Sequence, residues 1–301
     1  MTGGAGGAGG DRPLAGVLAP ITTPFDRATG EVAPVHLRQN VTRLLAAGLD
    51  GVVVAGSTGE SALLDPDEQR RMVAWVREVL PDRRWLLAGT GSESTRQAVA
   101  LTRAAAAEGA DAVLVRPPAY YSAGLSPATL AEYYRAVADA SPIPLLVYNI
   151  PKYTHLAIAA GLLHQLTAHP NIVGVKDSSG DAKNLAAYRD VAPDWSVFVG
   201  SGSLLYQALE LKCDGGILAV ACFAAALAAQ VYAAFQAGDR AEAGKLQERL
   251  GPLDKEVVGR LGPAGVKAAM DAVGLYGGPV RTPLAPVGAA DRERVTKLVA
   301  A

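Results

Sequence analysis

Cysteine is nearly absent: Cys213 and Cys222 are the two in 301 residues. Two cysteines make no disulfide framework, and a reducing, cytoplasmic setting is the simplest expectation. Neither belongs to a C-x-x-C, and His36, His155, His164 and His169 form no i, i+4 pair, so no metal site is expected. A surplus of one charge is missing too. Lys plus Arg number 28 against 29 Asp plus Glu, a formal net charge of −1. Nothing in that balance suggests a nucleic-acid or acidic-membrane surface. No apolar run reaches about 18 residues, so no segment is expected to span a membrane. The opening MTGGAGGAGG has neither the basic region nor the apolar stretch of a secretory signal.

Apolar residues are abundant, at 50% of the chain against 19% charged, which is enough for a large core. The Gly/Ala tail, residues 1–12, buries nothing and is expected to be disordered. One pattern then repeats: a short apolar run, a Gly, Pro or polar break, and an Ala/Leu-rich segment of helical period. The apolar runs are Gly16–Ile21, Gly51–Ala55, Trp85–Ala88, Ala112–Val115, Pro144–Tyr148, Ile172–Val175, Val197–Val199 and Gly216–Val220. The helical segments are Pro34–Ala47, Pro66–Leu80, Ser94–Glu108, Ser126–Ala140, Leu156–Ala168, Asp181–Val191, Ser203–Leu211 and Phe223–Ala237. Continuous, often β-branched runs suit parallel strands buried on both faces. Each unit spans about 25–35 residues, the size of one βα unit. Residues 13–238 therefore read as an α/β protein, a (β/α)8 TIM barrel. A doubly wound open sheet is the alternative. Its nucleotide-binding form needs G-x-G-x-x-G after the first strand, which Gly16–Phe25 lacks, and no cofactor is expected. Residues 239–301 read as a C-terminal helical extension packed on the barrel, broken near Gly251-Pro252, Gly262-Pro263 and Gly277-Gly278-Pro279.

A barrel carries its chemistry at the C-terminal ends of its strands. Lys176 closes the apolar run Ile172–Val175, and desolvation there favours the neutral, nucleophilic form of an amine. An internal ion pair is the other reading of such a lysine. Tyr148 ends the neighbouring run, where a phenol can shuttle protons or be a core residue with a satisfied hydroxyl. Gly56-Ser57-Thr58-Gly59-Glu60 follows the second run. Its backbone N–H groups and two hydroxyls suit a small carboxylate, and an ordinary βα loop is the other reading.

Together GSTGE, Tyr148-Asn149-Ile150-Pro151 and Gly174-Val175-Lys176-Asp177 resemble the markers of the dihydrodipicolinate synthase/N-acetylneuraminate lyase family of Schiff-base aldolases. The resemblance runs from about Gly16 to near the end of the chain. Within that family the chain is most similar to the 4-hydroxy-2-oxoglutarate aldolases, in Ala88–Arg96, His169–Asp181 and Gly265–Pro283.

The resemblance implies a carbon–carbon lyase that joins or releases pyruvate and an aldehyde, built as a homotetramer, a dimer of dimers. It implies that Lys176 forms an imine with the 2-oxo acid and that Tyr148 relays protons. Ser57 would link Tyr148 to Tyr120, which reaches into the neighbouring subunit's site. Thr58 and Gly59 belong to the loop that holds the pyruvyl carboxylate. Gly200 and Ile217 would line the imine pocket, and Ser178 would lie near the substrate's hydroxyls. Two departures stand out. Dihydrodipicolinate synthases place an arginine, which grips the aldehyde's carboxylate, where this chain has Tyr153. His155 stands where many members have glycine, and it is expected to crowd the second-substrate pocket. Arg116 and Lys152 are candidate partners for a distal carboxylate. A sensor that merely binds 2-oxo acids has no use for the set Lys176, Tyr148 and Ser57. The alternatives to a 4-hydroxy-2-oxo acid aldolase are therefore enzymes: dihydrodipicolinate synthase, or a 2-keto-3-deoxy sugar-acid aldolase or dehydratase.

Overall fold

The computed structural model describes residues 13–300, so the tail at 1–12 lies outside the described residues. Eight strands form a closed parallel barrel in sequence order: β1 (Gly16–Pro20), β2 (Gly51–Val54), β3 (Trp85–Gly89), β4 (Ala112–Val115), β5 (Leu145–Asn149), β6 (Ile172–Asp177), β7 (Ser196–Val199) and β8 (Gly215–Ile217). β8 pairs back onto β1. Side chains alternate across each strand. Leu18, Val53, Leu87, Leu114, Leu146, Tyr148, Phe198 and Ile217 fill the barrel interior. Their neighbours, such as Val17, Val52, Val113 and Val147, face the helices and join the larger core.

The helices begin where the chain offers a cap. Asp65 and Glu68 form a reciprocal capping box ahead of α2 (Pro66–Arg77), with proline at its first position. Ser94 and Ser126 accept the Gln97 and Thr129 N–H groups at the starts of α3 (Thr95–Ala107) and α4 (Pro127–Ala140). These follow α1 (Pro34–Ala46) around the outside of the barrel. The helix expected over Leu156–Ala168 is shorter, α6 (Ala160–Leu166), and a separate single turn, α5 (Pro151–Thr154), precedes it. The link is pulled out of helical form by side chains: Ile158 N–H donates to Asn149 Oδ1 at 3.0 Å, and Tyr188 Oη donates to the Ile158 carbonyl. α7 (Ala182–Val191), α8 (Leu205–Glu210) and α9 (Ala225–Gln236) complete the ring.

The extension also departs from expectation at one break. α10 (Arg240–Leu253) runs through Pro252 and passes into a wide π turn, Asp254–Gly259. Proline has no N–H to give the ladder, and the wider turn next to it accommodates the interruption. The break at Gly262-Pro263 is real: Gly262 has φ 58° and ψ −148°, a kink near the start of α11 (Arg260–Ala272). After Gly277-Gly278-Pro279 the chain crosses to α12 (Ala289–Ala300).

One buried ion pair fastens this extension to the barrel mouth. Lys267 Nζ lies 2.5 Å from Glu60 Oε1, with side-chain exposures of 2% and 0%. Lys267 also donates to the Pro279 carbonyl at 2.6 Å and lies 4.5 Å from the Phe25 ring centroid. Burial pulls the Lys267 amine below the usual lysine range, and Glu60 works against that pull. Arg281 N–H donates to Glu60 Oε2 at 2.8 Å, while its guanidinium forks onto Glu68 at 2.6 and 2.8 Å. Lys267→Met leaves Glu60 as a lone buried carboxylate, and a destabilisation of about 3–5 kcal/mol is expected in urea unfolding. Adding Glu60→Gln to that variant should restore part of the loss.

The Arg281 fork, foremost, holds the Glu68 carboxyl below its ordinary value of 4.5. A carboxyl depressed in the folded state contributes stability that is complete above the ordinary value and is lost as pH falls through the depressed one. Glu68→Gln should therefore lose less stability than the parent between about pH 5 and about pH 3, read from urea midpoints across that range.

Candidate active site

Tyr148 and Lys176 are register partners on β5 and β6. Both occupy inward positions, and both are buried, at 6% and 4% exposure. Lys176 Nζ donates to Tyr148 Oη at 3.3 Å and sits 4.4 Å from the phenol ring centroid. The phenolic oxygen is thus the acceptor, and its own proton is free for a third atom.

Asp177, next along β6, points the other way by strand parity. Its Oδ1 accepts from Asn149 Nδ2 and its Oδ2 from Ser179 Oγ, each at 2.6 Å. Burial pushes the Asp177 carboxyl up, and the hydrogen bonds from Ser179 and Asn149 oppose this. Asn149 therefore ties the end of β5 both to Asp177 and to Ile158. The two strand ends that carry the tyrosine and the lysine are locked together from behind.

A cavity of about 240 Å³ opens over this pair, lined by Lys176, Tyr148, Ser57, Thr58, Ser178 and Gly200. A Cβ on Gly200 would fall 1.9 Å from Ser178 Oγ, so glycine is what lets that hydroxyl stand there. Tyr153 and Lys152 line the same cavity.

Two residues expected at the site sit elsewhere. Ile217 lies in the barrel interior and does not line the cavity. Gly59 is structural: a Cβ there would come 2.9 Å from the Ile21 carbonyl, and Thr23 Oγ1 donates to the Gly59 carbonyl at 2.6 Å. The loop's N–H groups do not all converge on an anion either. Those of Gly59 and Ser61 turn to the Gly56 carbonyl, and that of Glu60 to Ser57, so Ser57 and Thr58 are the loop residues that face the cavity. Tyr120 is 80% exposed and stands outside this chain's own cavity. Its backbone N–H and that of Ala119 donate to Glu93 Oε2, each at 2.9 Å, and Arg116 pairs with the same carboxylate at 3.0 Å. Arg116 thus stiffens the Tyr120 loop and does not line the cavity.

His155 does not crowd the pocket. It caps α5 with φ 53°, is exposed, and lies outside the cavity. The left-handed backbone explains why glycine suits that position. Sequence reasoning missed the far wall. Asp254, Val258 and Gly259 of the π turn, with Gly262 and Val266, close the cavity from the extension. The Gly262-Pro263 break was the visible signal, and it pointed to a kink without saying what the kink faces.

Fold and site define the class: a (β/α)8-barrel enzyme with a buried lysine at the strand ends of its mouth. The chain matches the dihydrodipicolinate synthetase family over residues 13–301. It belongs to that family and is a carbon–carbon lyase of the Schiff-base aldolase type. A 4-hydroxy-tetrahydrodipicolinate synthase of Methanoculleus marisnigri is 35% identical over 287 residues, covering 94% of this chain and 98% of that relative. Among solved structures, a dihydrodipicolinate synthase from Bacillus anthracis superposes with a TM-score of 0.91 at 29% identity, covering 96% of this chain and 98% of that one. A prophage protein of the same family from E. coli K12, solved in complex with pyruvate, gives 0.89 at 26% identity, covering 95% and 98%.

Asn149→Ala should strip Asp177 Oδ1 of its closer donor, leaving it the Ser179 N–H at 3.4 Å, and leave the Ile158 N–H unpaired. The expected cost is about 2–4 kcal/mol in thermal or urea unfolding. A variant as stable as the parent would show that the strand ends are held by other means.

Proposed function

We propose that this chain is a pyruvate-dependent class I aldolase that cleaves or forms a short 4-hydroxy-2-oxo acid such as 4-hydroxy-2-oxoglutarate. The observation that carries this reading is the buried Lys176 amine held 3.3 Å from the Tyr148 phenol in a cavity sized for a small acid. Lys176 Nζ attacks the 2-oxo carbon and water leaves, giving an imine. Breaking the C3–C4 bond sends its electron pair into the imine as an enamine, while the 4-hydroxyl gives up its proton and departs as an aldehyde. Tyr148 is the acid/base at both proton transfers, Ser57 belongs to its proton relay, and Thr58 takes the pyruvyl carboxylate. Reprotonation of the enamine and hydrolysis release pyruvate and restore the amine. Pyruvate in the E. coli relative supports this choice of 2-oxo acid.

The second reading is 4-hydroxy-tetrahydrodipicolinate synthase, favoured by the names of several relatives. Tyr153 weighs against it. A phenol offers one neutral hydrogen bond where that reaction calls for a charged fork on the aldehyde's carboxylate. The proposal also places the enzyme in the cytoplasm as a homotetramer. Tyr120, exposed on a loop braced by Glu93, supports the assembly as the group offered to a neighbouring subunit.

Incubation with pyruvate followed by borohydride should fix the adduct on Lys176 by mass spectrometry. An adduct on another lysine overturns the assignment. Tyr148→Phe should still trap pyruvate slowly while turnover falls about 10²–10⁴-fold. Cleavage of 4-hydroxy-2-oxoglutarate should exceed condensation of pyruvate with aspartate semialdehyde in kcat/KM. The reverse ranking would establish the second reading.

A further inference from the structure

Lys176 faces the cavity because of an irregularity near the other end of its strand. β5 and β6 begin in step, with Leu145 level with Ile172, but Leu146 is level with Gly174. Val173 is therefore an extra residue, a bulge, which is rare between parallel strands. Among the described residues the other seven strand pairs of the barrel each keep one register throughout.

Strand parity turns that one residue into a change of face. Ile172 packs in the outer core, under the helices, and Val173 packs against the barrel interior. Strict alternation from there would send Gly174 and Lys176 outward and bring Val175 and Asp177 inward. The shift inverts this order. Val175 joins the outer core, and Lys176 lines the cavity, level with Tyr148. Glycine admits the shift, because a Cβ on Gly174 would come 2.5 Å from the Ser196 carbonyl oxygen and 3.3 Å from Leu146 Cγ.

The residue before each even-numbered strand shows what holds it. Before β2, β4 and β8 that residue is an aspartate, and its Oδ2 accepts the N–H of the second residue of the preceding strand. Val17 donates to Asp50 at 2.9 Å, Leu86 to Asp111 at 2.8 Å and Val197 to Asp214 at 2.8 Å. Before β6 stands Asn171, and its side chain turns the other way. Its Nδ2 donates to the carbonyls of Ala138, Ser141 and Ile143 at 3.0, 3.0 and 3.2 Å. Its N–H donates to His169 Nδ1 at 3.1 Å, while His169 Nε2 pairs with Asp139 Oδ1 of α4 at 3.0 Å. The start of β6 is thus tied to the end of α4 and to the link into β5. Six residues of β6 then meet five of β5, and Val173 takes up the difference.

We propose that Asn171, at the far end of β6 from the cavity, is a positioning residue for the reaction: it holds the register shift at Val173 that turns Lys176 inward beside Tyr148. This rests on the imine reading of Lys176 above and deepens it.

The rate at which borohydride traps pyruvate on Lys176 tests this in the parent, Asn171→Asp, a deletion of Val173, and the two changes combined. Aspartate has no proton for the three carbonyls and can accept a β5 N–H as Asp50, Asp111 and Asp214 do theirs, so the pair should slip toward the regular register. Trapping should fall about 10–100-fold, the cost of displacing a reacting atom by about 1 Å. Deleting Val173 removes the extra residue and leaves Gly174, Val175 and Lys176 on their present partners. Trapping should then stay within about threefold of the parent, and adding Asn171→Asp should cost no more than about threefold again. Parent-like trapping by Asn171→Asp overturns the proposal. So does an equal loss with and without Val173, which is what a general loss of stability produces, and so does a folded deletion that traps poorly. Should the deletion fail to fold, the crystal structure of Asn171→Asp decides: Lys176 still level with Tyr148 overturns the proposal, and Lys176 turned out of the cavity supports it. A parent that gives no adduct on Lys176 overturns the imine reading, and the same crystal structure then settles the claim about register by itself.

Discussion

The pocket depends on a contact that takes no part in its chemistry, the buried pair of Glu60 and Lys267. Glu60 ends the loop that presents Ser57 and Thr58, and it holds a left-handed conformation with φ 58°. Lys267 lies on α11, one residue from Val266, which lines the far wall of the same cavity. Loop and wall are thus set against each other through two full charges with almost no water around them. In so dry a setting a misplaced partner is costly, because an unpaired buried charge loses its hydration without compensation. The interaction fixes a distance across the pocket more than it adds net stability.

A second constraint is the two-residue period of the strands. On β5 the positions Leu146 and Tyr148 face inward, and on β6 Lys176 does while Asp177 does not. The same parity gives adjacent residues opposite duties. Lys176 faces the cavity, and Asp177, through Asn149, locks the strand ends that hold it. A bulge in the β5–β6 pairing near Leu145 and Leu146 sets the register in which Tyr148 and Lys176 come level.

Much of this was legible in the sequence because it follows from local rules. Apolar runs such as Ala112–Val115 and cap signals such as Asp65-Pro66 specify strand and helix with little help from elsewhere. Lys176 and Tyr148 were legible because each sits at the end of such a run. What stayed hidden depends on distant partners. Nothing near Leu156–Ala168 announces that Asn149 and Tyr188 will draw Ile158 out of a helix. Pro252 reads as a stop, and only the π turn beside it lets the helix continue. Glu60 looked like part of an anion-binding loop, although its charge is met by a lysine far along the chain.

The pairing of Glu60 with Lys267 also bears on the order in which the chain is made. The loop after β2 leaves the ribosome long before α11 does. Until then the barrel mouth carries a carboxylate with no cation to meet it, so that loop has reason to stay hydrated and open. A chain that elongates from its N-terminus therefore settles its binding site last, after the outer ring of helices is in place. Contacts so far apart in sequence slow the final step of folding. They also mean that a ribosome-bound fragment with all eight strands still lacks the far wall of the cavity, which α11 and the π turn supply.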